Sequence, residues 1–303
     1  MTASTVPHGP AATGPAFGPL IRIAGRSGPW PQIRADLDRY GTALVYARTE
    51  DWRPDQAAGP RLKELLGRQD WERYLEQRHP GVRSRFAASR VLLKYAAGAA
   101  LQVPPDRLEL GYLGTGRPYL RGNDSLDISL SHTDGLLLVG LTSRGAIGVD
   151  VEDAHRRFHE AGLARHWCSA EESARVDALP AERRDPELVR LWTLKESYSK
   201  ALGVGMQFRF TDFTFAEEKG RLTVRSADRS SGGEDAWAFG TWTVGADYAV
   251  AVAVRSAGFG RTDDTAAHTM LDPSFMDAVA AVLADDPDDD TGGPGSTPAD
   301  DDW

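Results

Sequence analysis

Gly148-Val149-Asp150-Val151-Glu152 says most about the architecture. It closes a run that begins Ile128-Ser129-Leu130-Ser131-His132-Thr133-Asp134-Gly135 and continues through Leu136–Leu141 and Gly145-Ala146-Ile147. A strand turns successive side chains to opposite faces, so Val149 and Val151 enter a core while Asp150 and Glu152 share the other face. Two carboxylates on one strand face repel, and a fold keeps them cheaply only with a cation or several donors between them. Further on, Trp192-Thr193-Leu194-Lys195-Glu196-Ser197-Tyr198-Ser199-Lys200 has helical spacing. It adds a third carboxylate, Glu196, with Lys200 one turn beyond. Three acids, the Ser131-His132 step and a lysine make a site for a hard metal ion carrying a phosphate ester.

The chain of 303 residues is long enough for two compact units. Its net charge of −9 is unevenly spread: Thr262–Trp303 holds 12 Asp and no Glu, Lys or Arg, and −9 less that −12 leaves +3 for the remainder. A mildly basic body suits a small polyanion or an acidic protein partner, and is too weakly charged for nucleic acid. The single cysteine, Cys168, excludes an internal disulfide framework and a cysteine-based zinc site. With no signal-like start and no apolar run of membrane-spanning length, a soluble, cytoplasmic protein is expected.

Taken in order, residues 1–30, rich in Gly, Pro, Ala and Ser, read as a flexible leader. Thr42–Ala47 reads as a strand, and Pro60–Leu66 and Trp71–Arg78 as short helices stopped by Pro80-Gly81. Arg83–Leu101 is the clearest long helix, with an apolar stripe through Phe86, Val91, Leu92 and Tyr95. Arg83, Arg85 and Arg90 lie off that stripe or at its edge, as solvated arginines or as an anion-binding rim. After the short strand Leu108–Tyr112, the turn Gly114-Thr115-Gly116-Arg117 presents a guanidinium. Asp127–Ser131, Leu136–Thr142 and Ala146–Glu152 read as an antiparallel meander.

Arg156–Trp167 reads as a helix, Ser169-Ala170-Glu171-Glu172 as a capping box, and Pro186–Leu202 as a helix stopped by Gly203. Strand signals return at Phe208–Phe215, Leu222–Val224, Trp237–Val244 and Tyr248–Val254. The pattern predicts an α+β protein of two similar half-domains, 31–144 and 145–256, related by pseudo-two-fold symmetry. Each half packs a helix on a small, mostly antiparallel sheet, and the active site lies in the cleft between them. Residues 257–303 form an acidic tail with one amphipathic helix, 272–284, expected to dock on the body.

Gly116-Arg117-Pro118, Ile128-Ser129-Leu130-Ser131-His132, Gly148-Val149-Asp150-Val151-Glu152 and Trp192–Lys200 resemble, in order and spacing, the successive motifs of the Sfp-type 4′-phosphopantetheinyl transferases. The resemblance covers Thr42 to Val254. It implies transfer of the phosphopantetheine arm of coenzyme A to a serine of an apo acyl or peptidyl carrier protein, releasing 3′,5′-adenosine bisphosphate. By the same resemblance Asp150, Glu152 and Glu196 bind Mg2+, with Mn2+ as a substitute, and Glu196 accepts the serine proton directly or through water. Lys200 contacts a phosphate and stabilises the departing nucleotide, while Ser131, His132, Arg117, Arg90 and Arg83 grip the phosphates of coenzyme A. The expected partner is a carrier of a fatty-acid, polyketide or nonribosomal peptide pathway, met by a monomer without nucleic acid or membrane.

Plainer readings stand beside these. Asp150 and Glu152 are also a plausible solvated strand face, Glu196 and Lys200 an ordinary helix pair, Trp192 and Tyr198 core residues, and Lys195 the partner of a neighbouring acid. Two other classes share the residue set: a metal-dependent phosphodiesterase or nuclease, and a non-catalytic coenzyme A-binding module. The weak basic charge argues against a nucleic-acid substrate, and a repulsive acid cluster serves a module poorly without metal chemistry.

Overall fold

The computed structural model of the protein describes residues 17–54, 59–160, 162–204, 209–226 and 237–256. In chain order the elements of the first half are β1 (Ile21–Arg22), α1 (Trp30–Tyr40), β2 (Thr42–Arg48), α2 (Gly59–Glu76), α3 (Pro80–Leu101), β3 (Leu110–Tyr112), β4 (Pro118–Leu120), β5 (Asp127–His132) and β6 (Leu136–Thr142). The second half comprises β7 (Gly145–Asp153), α4 (Ala170–Asp177), α5 (Ala181–Leu202), β8 (Phe213–Glu218), β9 (Arg221–Ser226), β10 (Trp237–Val244) and β11 (Tyr248–Ser256). One sheet runs β1-β2-β6-β5 and the other β10-β11-β7, with β3–β4 and β8–β9 as separate ribbons.

Beneath this order both halves follow one plan. A strand leads to a 22-residue helix, a ribbon and two more strands, and the first strand pairs with the last: β2-β6-β5 in one sheet, β7-β11-β10 in the other. The expected pair of α+β halves is therefore present; β1 and α1 are additions to the first, and each half carries a further helix, α2 or α4, between its first strand and its long helix. The fifteenth residue of each long helix is a fully buried lysine. Lys94 donates to the carbonyls of Leu65 (2.6 Å) and Leu66 (3.1 Å), and Lys195 to those of Phe210 (2.7 Å) and Phe213 (2.5 Å).

Period-two alternation sorts the strands into layers. Ala43, Val45 and Ala47 of β2, with Leu137, Val139 and Leu141 of β6, face α3. Their neighbours Leu44, Tyr46, Leu136 and Leu138 meet Ile147, Val149, Val151, Val250 and Val252 across a central core between the sheets. On the far side Ala251 and Ala253 face Leu188, Leu191, Leu194 and Tyr198 of α5. The layers are helix, sheet, sheet, helix.

Two devices set the position of β7. Its backbone edge away from β11 is satisfied by side chains of β5 in place of a backbone ladder: Asp127 Oδ2 accepts from Ile147 N (2.7 Å), Ser129 Oγ from Val149 N (3.0 Å) and Ser131 Oγ from Val151 N (3.3 Å). The second device is Gly148, over which α5 lies backbone to strand. A Cβ there would collide with the Ser197 carbonyl oxygen and stand 2.5 Å from the Ala201 nitrogen.

Several expectations change. The leader 1–30 gives way from Phe17 on, because Ile21–Arg22 pairs in parallel with β2 and Ile21 and Ile23 are buried. The sequence analysis gives no helix at α1, which buries only Ile33 and Leu37 as apolar residues and adds half-buried Trp30 at its start, too short a stripe to stand out. Pro80-Gly81 begins α3 instead of stopping a helix, since proline at the first helical position forfeits no hydrogen bond. The two short helices before it join into α2 across a kink at Gly67, whose φ is 75°. β5, β6 and β7 are no simple meander, for β7 leaves β6 at Ser143–Arg144 and pairs with β11. Arg156–Trp167 holds turns and one 3-10 turn at Ala164–His166, anchored by buried Phe158, Leu163 and Trp167. The capping box at Ser169 forms as read, and α5 starts at Ala181 with Pro186 inside it. Phe208 and the tail 257–303, with its expected helix 272–284, lie outside the described residues.

Gly148→Ala is expected to lower stability by about 3 kcal/mol, because neither a helix backbone nor a central strand can yield to the added methyl. Thermal melts of wild type and variant check this, and an unchanged Tm would show that α5 does not press on β7.

Candidate active site

β7 delivers Asp150 and Glu152 to the face on which Gly148 lets α5 settle, and α5 brings Glu196 and Lys200 one turn apart. All four line one open cleft of about 840 Å³, together with Ser131, His132, Arg85, Arg90 and Arg156. Asp150 is 6% exposed and is held on both sides: Ser131 Oγ donates to its Oδ1 at 2.8 Å and Lys200 Nζ lies 2.6 Å from the same oxygen. Lys200 Nζ also reaches Ser131 Oγ at 3.1 Å, closing a three-membered network. Burial opposes the Lys200 ammonium, yet Asp150, Glu196 and Glu152 outweigh it and raise its pKa above the ordinary lysine value.

Glu196 is the most perturbed acid. Burial pushes its carboxyl up to about 7, Lys200 counteracts, and the charges of Asp150 and Glu152 push it further up. Its electrostatic environment therefore contains the two strand carboxylates, as the sequence pattern required. Glu152 is raised by burial too, offset by Arg156, which pairs with its Oε2. The other oxygen, Oε1, accepts from the backbone N–H of Asp153 at 3.0 Å.

The rim is basic. Arg90 of α3 donates to Tyr112 Oη at 2.9 Å, and that hydroxyl donates to Asp70 at 2.5 Å, so a relay from α2 through β3 aims the guanidinium. Arg85, one and a half turns before it, lines the cleft and pairs with Asp134 in the β5–β6 turn. The outer edge of His132 is exposed, but loss of water around the ring, with Arg90, Arg85 and Lys200 nearby, pushes its pKa down to about 4. At neutral pH His132 is an uncharged hydrogen-bonding group among cations.

Two expected anion contacts lie elsewhere. Arg117 does not line the cleft: its Nη2 binds Asp127 Oδ2 at 2.6 Å and the Ile147 carbonyl at 2.9 Å, clamping β5 to β7. Arg83 donates to the Gln77 carbonyl at 2.8 Å and lies over the Tyr74 ring, on the outer side of the helix start. Arg85, two residues on, takes the inward place. Arg156 was missed because its segment was read as a helix, although its spacing of four from Glu152 was a usable signal.

Lys195 is the partner of a neighbouring acid, the plainer of its readings: its Nζ lies 2.8 Å from Glu172 Oε2 and both side chains are fully buried. Tyr198 is core. Trp192 packs on Phe158, Trp167 and Phe210 and also forms a wall of the cleft.

Among the described residues no group of three or more His, Cys, Asp or Glu side chains is gathered as a metal centre. The donors nevertheless suit a hard divalent cation: three carboxylates face one cleft, and burial together with the charges of Asp150 and Glu152 raises Glu196. What keeps them apart is visible, since Lys200 holds Asp150 and Arg156 holds Glu152.

Residues 146–253 match the family model described as the 4′-phosphopantetheinyl transferase superfamily. A phosphopantetheinyl transferase of Thraustochytrium sp. is 31% identical over 57% of this chain and 65% of its own length. The 4′-phosphopantetheinyl transferase HetI of Nostoc sp. is 32% identical over 42% of this chain and 55% of its own. The 4′-phosphopantetheinyl transferase psf-1 of Bacillus pumilus is 27% identical over 48% and 62%. The chain thus spans less than two thirds of the length of each of these relatives. Among solved structures, a holo-(acyl-carrier-protein) synthase from Bacillus anthracis aligns over 37% of this chain and 96% of that one, at 20% identity and a TM-score of 0.32. No helix among the described residues is long and apolar enough to cross a membrane.

Lys195→Met leaves Glu172 charged and buried without its partner, and is expected to cost about 3–5 kcal/mol, part of which Glu172→Gln in the same chain restores. Urea midpoints check this, and a neutral Lys195→Met would mean the pair contributes nothing.

The raised Glu196 carboxyl fixes a sign. Folded protein keeps that proton where the unfolded chain has lost it, so its stabilisation is full below about 4.5 and disappears as pH climbs to about 7. His132, lowered from 6.5 to about 4, acts oppositely over an overlapping window. Wild type must therefore be compared with Glu196→Gln, both in EDTA: the stability difference, wild type minus variant, is expected to fall between pH 4.5 and 7.5. A flat difference would refute the assignment.

Proposed function

We propose that this chain, whose residues 146–253 match the 4′-phosphopantetheinyl transferase superfamily, moves the 4′-phosphopantetheine arm of coenzyme A onto a serine hydroxyl of an apo acyl or peptidyl carrier protein. The observation that carries this reading is the convergence of Asp150, Glu152, Glu196 and Lys200, from a strand and a helix, on one cleft with a basic rim. The serine oxygen forms a bond to the phosphorus that bears the pantetheine arm, the bridging P–O bond breaks, and 3′,5′-adenosine bisphosphate leaves with that oxygen. Such a displacement asks for positioning and for positive charge around the transferred group.

In this reading Arg85, Arg90 and His132 bind the nucleotide phosphates, two by charge and one by hydrogen bonding. Lys200, fixed by Asp150 and Ser131, offers its ammonium to a diphosphate oxygen. Glu196 accepts the serine proton, directly or through water, and a carboxyl near neutrality is a fit base. Mg2+, or Mn2+ in its place, would be held by Asp150, Glu152 and Glu196, and when bound supplies neutralising charge for the diphosphate.

For the carrier we place docking beside the ribbon β3–β4. Leu113 and Tyr119 are exposed there, and Gly116 and Pro118 of the same ribbon line the cleft close to Arg85 and Arg90. Apolar contacts framed by arginines suit an acidic, amphipathic helix. One chain supplies every named group, so a monomer suffices.

The test is to incubate the protein with coenzyme A, Mg2+ and a panel of apo carriers and to weigh the carriers. At least one is expected to gain one phosphopantetheine arm, the gain to vanish in EDTA, and Glu196→Gln to slow it by about 10²-fold or more with coenzyme A still bound. Coenzyme A cleaved by water, with no carrier gaining mass, would overturn the reading in favour of a phosphodiesterase.

A further inference from the structure

Arg156 is the one cleft-lining cation paired with a strand carboxylate that the transfer scheme leaves unused. Its guanidinium is fixed twice, by Glu152 and by the ring of Phe158, whose centroid lies 4.9 Å from the Arg156 carbon. Phe158 is itself held in place, 3% exposed and packed edge-on against Trp167 at 5.5 Å and at a tilt against Trp192 at 5.6 Å. This is a built arrangement and not a loose surface pair, for the Arg156 and Glu152 side chains are 27% and 14% exposed.

The pairing has a chemical consequence for Glu152. One of its oxygens is taken by the backbone N–H of Asp153, which the strand end fixes, and the other by Arg156. Any cation that seeks Glu152 therefore meets a carboxylate with one oxygen held by the backbone and the other held by an exchangeable side chain. Lys200 stands in a similar relation to Asp150, but it is tied into Ser131 as well and belongs to the phosphate-binding set. Arg156 is the cation that can yield.

We propose that Arg156 is the resident counter-ion of Glu152, a positioning residue that a divalent cation displaces on binding, so that arginine and metal compete for one carboxylate oxygen. This rests on the assignment of Asp150, Glu152 and Glu196 as a divalent-ion site. It accounts for three acids facing one cleft without being drawn together: two of them are neutralised by the chain's own cations. In the metal-free protein the guanidinium thereby limits the repulsion that three carboxylates exert on one another.

The test uses the full chain and Mn2+ alone, with binding followed through the paramagnetic resonance of free Mn2+ and no substrate present. Arg156→Gln is expected to bind Mn2+ about tenfold more tightly than wild type, equivalent to ~1.4 kcal/mol. Arg156→Lys, which keeps charge but loses the planar fork, should gain less. Arg85→Gln removes a cleft cation that pairs with Asp134 instead, and should change the affinity by less than about threefold, the general effect of charge at that range. In a Glu152→Gln background the gain from Arg156→Gln should vanish. Equal or weaker Mn2+ binding by Arg156→Gln, an equal gain from Arg85→Gln, or a gain that survives Glu152→Gln would each overturn the proposal. If wild type takes up no Mn2+ at all, the divalent-ion assignment falls and the competition with it. If wild type binds and Arg156→Gln matches it, only the competition falls. Thermal melts confirm that each variant is folded, and Arg156→Lys carries the test should the glutamine variant be unstable.

Discussion

The absence of a side chain at Gly148 is what the active face is built on. Because nothing projects from the strand there, the α5 backbone can lie directly on β7, and Lys200 and Glu196 come within reach of Asp150 and its neighbour Glu152. A Cβ at that position would meet the Ser197 carbonyl and the Ala201 nitrogen and push the helix off the strand. Close approach turns a strand face and a helix face into one charged surface, and the charge has to be balanced locally. Lys200 does so for Asp150, and Arg156 for Glu152.

Fold and site also share components along the seam between β5 and β7. Asp127, Ser129 and Ser131 stand two residues apart on one strand and satisfy successive backbone donors of the other, so one row of polar side chains joins the two sheets. Ser131 belongs to both systems, accepting from Val151 N and donating to Asp150. Arg117 buttresses the same row through Asp127. The register of the halves and the geometry of the carboxylates are thus settled by the same few atoms.

Much of this was legible in the residues. Alternation in Ile147–Val151 announced which side chains enter the core, the spacing of Trp192–Lys200 gave the facing helix, and together they named the three acids and the lysine. What escaped was what depends on distant contact. No local pattern tells that β7 pairs with β11 and leaves β6, since both partners offer a continuous apolar run. Nor does spacing decide between Arg83 and Arg85, because the start of α3 at Pro80 sets the rotation and the sequence had placed that start three residues late. Arg117 sat in a convincing glycine turn yet spends its donors on Asp127 and a carbonyl, a choice fixed by the approach of β7. The turns around Phe158 are held by distant contact as well, since Phe158 and Trp167 both pack on Trp192 of α5.

The matched buried lysines show how one frame is put to two uses. The residue after Lys195 is Glu196, which opens on the cleft, whereas the residue after Lys94 is Tyr95, wedged among Trp30 and Trp52 with ring centres 5.7 and 5.4 Å away. One helix position, held by the same kind of anchor, supplies a cleft-facing carboxylate in the second half and mortar in the first. The same frame thus spends that position on packing in the first half and on the cleft in the second.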